Sequence, residues 1–299
     1  MQNTVAEDDF IMSPKNDYVF KRIFGDERNK DVLISFLNTV LEESIKDVEI
    51  LNTELKKEHI QDKYGVLDIK AKTDNGTFVD VEIQLLNTNS MPKRTLYYWA
   101  KMYTEQIAPS EKYSQLMKTI TVNIVNFNCI KNMNIHNIFH IREDKTNIKL
   151  TDVLEIHFLE LTKLNKLTNI KHINEDGLID WLMFLKSDSK EVFDVLSKKN
   201  KEINKAYDLL KKMSENKEER YLYEQRQAAI HDEVTRVAES REEGRAEGRE
   251  EGREEGREEG REEERAKFVK AMKIKGFHAK EIAEITGMNI ERVRAILRS

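Results

Sequence analysis

Val32, Leu33, Phe36, Leu37, Val40 and Leu41 recur at helical period and draw one apolar stripe, so a helix over this stretch should pack on something flat. Just before it, "MSPKNDYVFKRIFGDE" reads as a short helix, with Ser13 as its cap, Pro14 at its first position and Gly25 at its end. The period then changes from helical to two. "DVEILNTEL", "YGVLDIKAKT" and "TFVDVEIQLL" alternate as strands, the last two joined through Asp74-Asn75-Gly76. A helix is predicted from about Lys93 to Ala108, with Leu96, Ala100, Tyr103 and Ile107 on one side. "TITVNIVNF", "NIFHIRE" and "EIHFLEL" add three more strands. From Asn174 to about Arg241 the chain is charged and free of proline, and "GLIDWLMFL" and "EVFDVLSKK" keep helical spacing. The pattern predicts a mixed α/β sheet flanked by helices and followed by a helical region.

The third strand carries Asp80, Glu82 and Gln84 on one face and Val79, Val81 and Ile83 on the other. What those polar groups meet depends on the turn. A two-residue loop, Asn75-Gly76, puts Asp68 opposite Ile83 and separates it from Glu82 by the thickness of the sheet. A three-residue loop, Asp74 to Gly76 with the glycine in the left-handed position, puts Asp68 across from Glu82 and Lys70 across from Asp80. Glycine as the last loop residue suits the second register. Facing carboxylates repel in a hairpin, and a divalent cation reverses that sign; two carboxylates with water and a phosphate oxygen make an open site of the kind Mg2+ accepts. The competing reading is a solvated charged face on which Lys70 neutralises Asp80.

Charge along the chain is uneven. The 299 residues carry a net charge of −5, but residues 239–265 hold 13 Glu against 7 Arg, and residues 266–299 hold 8 Lys or Arg against 3 Glu. Within the acidic strip, "EGRAEGREEGREEGREEGRE" repeats every four residues. Two readings stand: a helical, dimerising stalk with a glycine ridge and Glu-to-Arg pairs three residues apart, or a solvated spacer, since glycine disfavours helix. In the basic tail, "AKEIAEITGMNIERVRAILR" fits a helix-turn-helix, with Gly287 at the turn, Asn289 as a cap and Arg292, Arg294 and Arg298 facing DNA. His278 stands where a Ser or Thr cap is usual, and a small helical hairpin for protein contacts is the alternative. With one cysteine, Cys129, an acidic polar start and no long apolar run, the expectation is a reducing, cytoplasmic address with no membrane segment.

"NDYVFKRIFGDE", "GVLDIKAKTDNGTFVDVEIQ" and "RTLYYWAKMYTEQI", in this order, resemble the recombination-promoting nuclease (Rpn) family of transposase-like proteins in the PD-(D/E)XK nuclease superfamily, over roughly residues 12–240. The resemblance implies a restriction-endonuclease-like core and a Mg2+-dependent DNA endonuclease tied to recombination or mobile elements. On the family's motif, Asp68 and Glu82 would hold Mg2+, Gln84 stands for the usual superfamily lysine, and Asp17 is a further carboxylate for the metal. Gln84 can orient water but brings no positive charge; Lys70 is the candidate to supply it, with pairing to Asp80 as its competing task.

On the next helix, Arg94 and Lys101 are candidate phosphate contacts, while Tyr97, Tyr98, Trp99 and Tyr103 either meet bases or pack on the sheet. His136 and His140 are spaced as helical zinc ligands are, but in a strand-like context without a third ligand. The organisation predicted is a nuclease-like core at 12–165, a helical region at 166–238, a stalk or linker at 239–265 and a helix-turn-helix-like tail at 266–299. One site cuts one strand, so efficient double-strand cleavage calls for a homodimer. The reading from another class is a non-catalytic DNA-binding or interaction protein derived from a mobile element, in which the acids are vestigial.

Overall fold

The computed structural model describes residues 10–53, 68–87, 90–166 and 177–298. The predicted strand residues Glu54, Leu55 and 64–67, the acidic start at 1–9 and the first residues of the helical region, 174–176, lie outside the described residues. The chain divides into two compact units, residues 1–230 and 231–299.

In the first unit, β1 (Val48–Leu51), β2 (Ile69–Thr73), β3 (Phe78–Gln84), β4 (Thr119–Val125), β5 (His136–Phe139) and β6 (Leu154–Glu160) form one sheet in the order β1-β2-β3-β4-β6-β5. The first three are antiparallel neighbours, β4 and β6 join in parallel, and β5 returns antiparallel at the edge. The parallel β3-β4 step needs a crossover, and α3 (Met91–Thr104) lies within it.

Alternation sorts the two faces. Val79, Val81, Ile83, Ile120, Val122 and Ile124 are buried in one core with α1 (Asp17–Phe24), α2 (Lys30–Leu41), α4 (Gly177–Lys186), α5 (Lys190–Ser197) and α6 (Lys201–Glu215). The α2 stripe is buried throughout, as its period requires. Residues of the helical region share this core with the sheet: Phe24, Phe36, Trp181, Phe184 and Phe193 form a chain of edge-on and tilted rings with centroids 5.3–6.0 Å apart.

Two predicted details are corrected. Asn16, not Ser13, caps α1, its Oδ1 accepting from the Tyr18 N–H at 3.0 Å, because an Asn at this point reaches the second amide of the helix. The inner face of α3 is Met91, Thr95 and Met102, whereas Leu96 is 49% exposed. The reason is the polar sheet face beneath: Thr95 and Thr121 bond hydroxyl to hydroxyl at 3.0 Å, and the Trp99 indole donates to the Thr119 carbonyl at 2.8 Å. A helix covering polar strands does not present its apolar stripe to them.

The turn between β2 and β3 has three residues. Gly76 sits at φ +88°, its N–H donates to the Thr73 carbonyl at 2.9 Å, and Thr73 N–H donates to the Thr77 carbonyl at 2.9 Å. A Cβ at Gly76 would also stand 2.7 Å from the Met117 Cε. Gly76→Ala is therefore expected to destabilise by about 1–2 kcal/mol, measured by urea denaturation, since left-handed backbone disfavours a side chain while the methionine tip can yield.

At the other end of the sheet, Glu155 accepts from His157 at 2.7 Å and pairs with Lys118 at 2.9 Å and His140 at 3.3 Å. Burial pushes the carboxyl up, but the His157 and Lys118 bonds outweigh it and hold it at about 2. A carboxyl held below its unfolded value stabilises the fold above that value and stops doing so as it protonates in both states. Stability on the order of 2 kcal/mol should thus fade as pH drops from about 4.5 to 2, and Glu155→Gln should flatten that part of the acid-unfolding curve.

α7, Lys217–Ile274, contains the whole acidic repeat as helix, and Arg253 pairs with Glu250 at 2.6 Å as the three-residue spacing anticipates. Gly244, Gly248, Gly252, Gly256 and Gly260 each face open space. In the second unit the end of α7 joins α8 (Ala279–Thr286) and α9 (Ile290–Arg298) around Val269, Met272, Ile282 and Val293. Gly287, at φ +65°, lets the chain reverse between α8 and α9. The His278 N–H is taken up by the Glu281 carboxylate at 2.7 Å, which compensates for the missing Ser or Thr.

Candidate functional site

The pairing Lys70 with Asp80 and Ile69 with Val81 fixes the register in which Asp68 and Glu82 meet. Their contact is reciprocal: Glu82 Oε1 accepts from the Asp68 N–H at 3.1 Å, and Asp68 Oδ2 accepts from the Ile83 N–H at 2.9 Å. Each carboxylate is thus anchored on the other strand and keeps one oxygen for something else. On Asp68 that oxygen faces the Lys21 Nζ at 3.0 Å, and on Glu82 it faces an Arg94 terminal nitrogen at 3.3 Å.

Asp80, one pleat back on β3, is 1% exposed, and its Oδ1 has no hydrogen-bond partner. Its expected partner is elsewhere: Lys70 donates to Glu105, the residue after α3, at 2.9 Å. The lysine is drawn there because Glu105 offers a carboxylate at the end of the covering helix, where Lys70 reaches it from the sheet. Above the acids, the Arg94 guanidinium lies over the Tyr98 ring, 5.1 Å from its centroid.

Electrostatics mark the cluster. Burial, then the charge of Asp68, pushes the Glu82 carboxyl up to about 7 despite Arg94 and the Asp68 amide. Burial, then the charges of Glu82 and Asp68, raises Asp80 well above the usual carboxylate range. Burial and crowding of this kind favour the protonated acid, and a cation beside the carboxylates opposes them. Among the described residues no group of three or more His, Cys, Asp or Glu is placed so that it could hold a metal ion. The donor set fits a hard divalent cation in an open site: two anchored carboxylates on adjacent strands, an unpartnered buried Asp80 oxygen beside them, and further coordination left to water and substrate.

Other predicted residues are placed as follows. Gln84 ends β3 half-buried, its carbonyl accepting from Asn126 at 2.9 Å. Asp17 opens α1 and is clamped by Arg226 of α7 at 2.6 Å. Lys101 lies half-buried on α3. Arg292 pairs with Glu262, Arg294 with Glu291 at 3.0 Å, and Arg298 is exposed, all within the second unit. His136 meets His157 ring to ring, Nε2 to Nδ1 at 2.8 Å, and His140 meets Glu155. Tyr97 is 37% exposed, whereas Trp99 stacks on Tyr103 with centroids 4.8 Å apart.

Sequence reasoning missed Lys21, Glu105 and Arg226. A signal for the first was present: Lys21 follows Asp17 by four residues and shares its helix face, so the face that offers one acid also offers a cation. Glu105 and Arg226 are contacts across the fold, which spacing does not reveal.

The family model described as PD-(D/E)XK nuclease family transposase matches residues 14–240. No curated protein and no solved structure matches the chain.

Proposed function

The chain belongs to the PD-(D/E)XK nuclease family transposases, and from that premise we propose that it is a Mg2+-dependent DNA endonuclease serving recombination or a mobile element. The observation that carries the reading is the Asp68–Glu82 pair: two carboxylates, each fixed by a backbone N–H across the hairpin, with Glu82 held where burial disfavours its charge. Lys21 and Arg94 meet the outer oxygens of this pair, but the buried Asp80 Oδ1 on the same strand as Glu82 is left without a partner, and a divalent cation would supply the charge still lacking.

Asp68 and Glu82 are the residues that would hold the metal, and Asp17 lies on the adjoining helix as a further carboxylate. When bound, Mg2+ acidifies water and draws charge from the scissile phosphate. The chain's own groups do the rest. The two amide anchors keep the carboxylates from turning away, so that their outer oxygens stay toward Lys21 and Arg94. Arg94, braced on Tyr98, offers donors to phosphate oxygens, and Gln84 can orient a water by hydrogen bonding but carries no charge. Lys70, bound to Glu105, steadies α3 over the site rather than acting in it.

The second unit supports DNA delivery. Arg292, Arg294 and Arg298 lie on α9, the later helix of the α8-turn-α9 arrangement, and the exposed pairs that hold two of them contribute about 0–1 kcal/mol, which a phosphate can displace.

The direct test is conversion of supercoiled plasmid to nicked and linear forms by the purified chain in Mg2+ and in EDTA. Cutting in Mg2+ that EDTA and Asp68→Ala abolish is the expected result. Binding of DNA without cutting, under the same Mg2+, would replace this reading with a non-catalytic DNA-binding protein.

A further inference from the structure

Asp68 is met by a lysine that the strand pattern does not supply. Lys21 lies on α1, one turn beyond Asp17, with its Nζ 3.0 Å from Asp68 Oδ1 and its side chain 38% exposed. The other cations around the acids have tasks of their own. Lys70 is spent on Glu105, Arg226 clamps Asp17, and Arg94 is shared between Glu82 and the Tyr98 ring. Lys21 is held by a single salt bridge among the described residues, to Asp68, and brings to that carboxylate the charge that Gln84 lacks; the inference rests on the reading above, in which Asp68 would hold the metal. When Asp68 turns that oxygen to a divalent cation, the ammonium loses its counter-charge while remaining beside the site, and a phosphate oxygen is the acceptor at hand. Gln84 is neutral and cannot fill this role.

We propose that Lys21 is a catalytic residue: its ammonium neutralises Asp68 in the resting protein and moves to a non-bridging oxygen of the scissile phosphate when metal and DNA bind. The chemical step is hydrolysis. The water oxygen bonds to phosphorus, the bond from phosphorus to the leaving nucleoside oxygen breaks with its electron pair, the water proton passes to solvent, and the leaving oxygen takes a proton from solvent. Lys21 gives up no proton in this balance, and its ammonium stabilises the charge building on the phosphate.

The test compares wild type, Lys21→Met, Lys21→Gln and the control Lys30→Met, whose lysine is also 38% exposed but pairs with Asp47 outside the site. Cleavage kinetics on plasmid and Mg2+-dependent thermal stabilisation are both measured. Lys21→Met should lower kcat by about 100-fold or more with KM for DNA within about threefold, while Lys30→Met cuts as wild type. Thermal stabilisation should reach its midpoint at about threefold lower Mg2+ in Lys21→Met, because the ammonium no longer competes for Asp68. A fall in kcat together with tighter metal binding is a signature that a merely structural lysine would not give. Lys21→Gln keeps a donor toward Asp68 without the charge, and should match Lys21→Met in kcat even if the latter folds poorly.

Cutting by wild type and by Lys21→Gln at rates within threefold overturns this inference and leaves the nuclease reading intact. So does loss of cutting together with loss of Mg2+ stabilisation, which would make Lys21 structural. No cutting by wild type overturns the nuclease reading, and the role of Lys21 with it.

Discussion

Glu82→Gln should abolish cleavage, by about 1,000-fold or more, and at the same time raise the melting temperature of the metal-free protein at pH 8. The two effects have one cause. Glu82 is 2% exposed, and burial and the nearby charge of Asp68 both oppose its ionisation. The glutamine keeps an acceptor for the Asp68 N–H, which Glu82 Oε1 engages at 3.1 Å, and removes one negative charge from a site that also holds Asp68 and Asp80. It also gives up the 3.3 Å pair with Arg94, but that guanidinium is still near Asp80 and still lies on the Tyr98 ring. The balance favours a rise on the order of 3–8 °C, read by calorimetry in EDTA. Added Mg2+ should reverse the order, stabilising wild type and leaving Glu82→Gln nearly unmoved. A variant that melts below wild type in EDTA would mean that the carboxylate contributes to the fold through Arg94 and is not held there for a ligand.

The same residues show what was legible in the chain. Period-two alternation placed Asp80 and Glu82 on one face, and the three-residue turn ending in Gly76 placed Asp68 opposite Glu82, because hairpin register follows from local turn chemistry. Helix stripes were equally legible where the partner surface is apolar, as in α2. They misled for α3, whose partner surface carries Asp80, Glu82, Thr119 and Thr121, so that its buried side is chosen by hydrogen bonding and not by hydropathy. Ion-pair choice was the least legible. Lys70 lies directly across from Asp80, yet it pairs with Glu105, which is distant in sequence and brought near by the α3 crossover. Lys21 and Arg226 reach the site from α1 and α7 for the same reason: a charged side chain goes to the best partner in space, and alternation along a strand carries no information about helices packed beside it.

Trp181→Ala is expected to produce the largest loss of stability, about 3–5 kcal/mol, and Trp181→Phe a loss below about 1.5 kcal/mol, both from urea denaturation of the metal-free protein. Trp181, on α4, is fully buried and touches Phe24 of α1 with ring centroids 5.6 Å apart, Phe36 of α2 at 5.9 Å and Phe184 at 6.0 Å. Truncation to alanine removes the ring that joins these three, and such a cavity is too well surrounded by helices to collapse. Phenylalanine keeps most of the contact. It also deletes the indole N–H, which is buried without a hydrogen-bond partner, so part of the lost packing is offset by a donor no longer left unsatisfied. The consequence reaches the site. Phe24 closes α1, the helix that carries Asp17 and Lys21, and its ring packs on Trp181. Loosening the aromatic cluster should therefore release α1 before the β2-β3 hairpin, whose strands are joined by an antiparallel backbone ladder and whose Asp68 and Glu82 carboxylates each accept from a backbone N–H across it. Hydrogen exchange on Trp181→Ala should show faster exchange in residues 17–24 than in residues 78–84. Equal acceleration in both would mean that the helix and the hairpin open as a single unit, and that the carboxylate site cannot persist without the aromatic core beneath it.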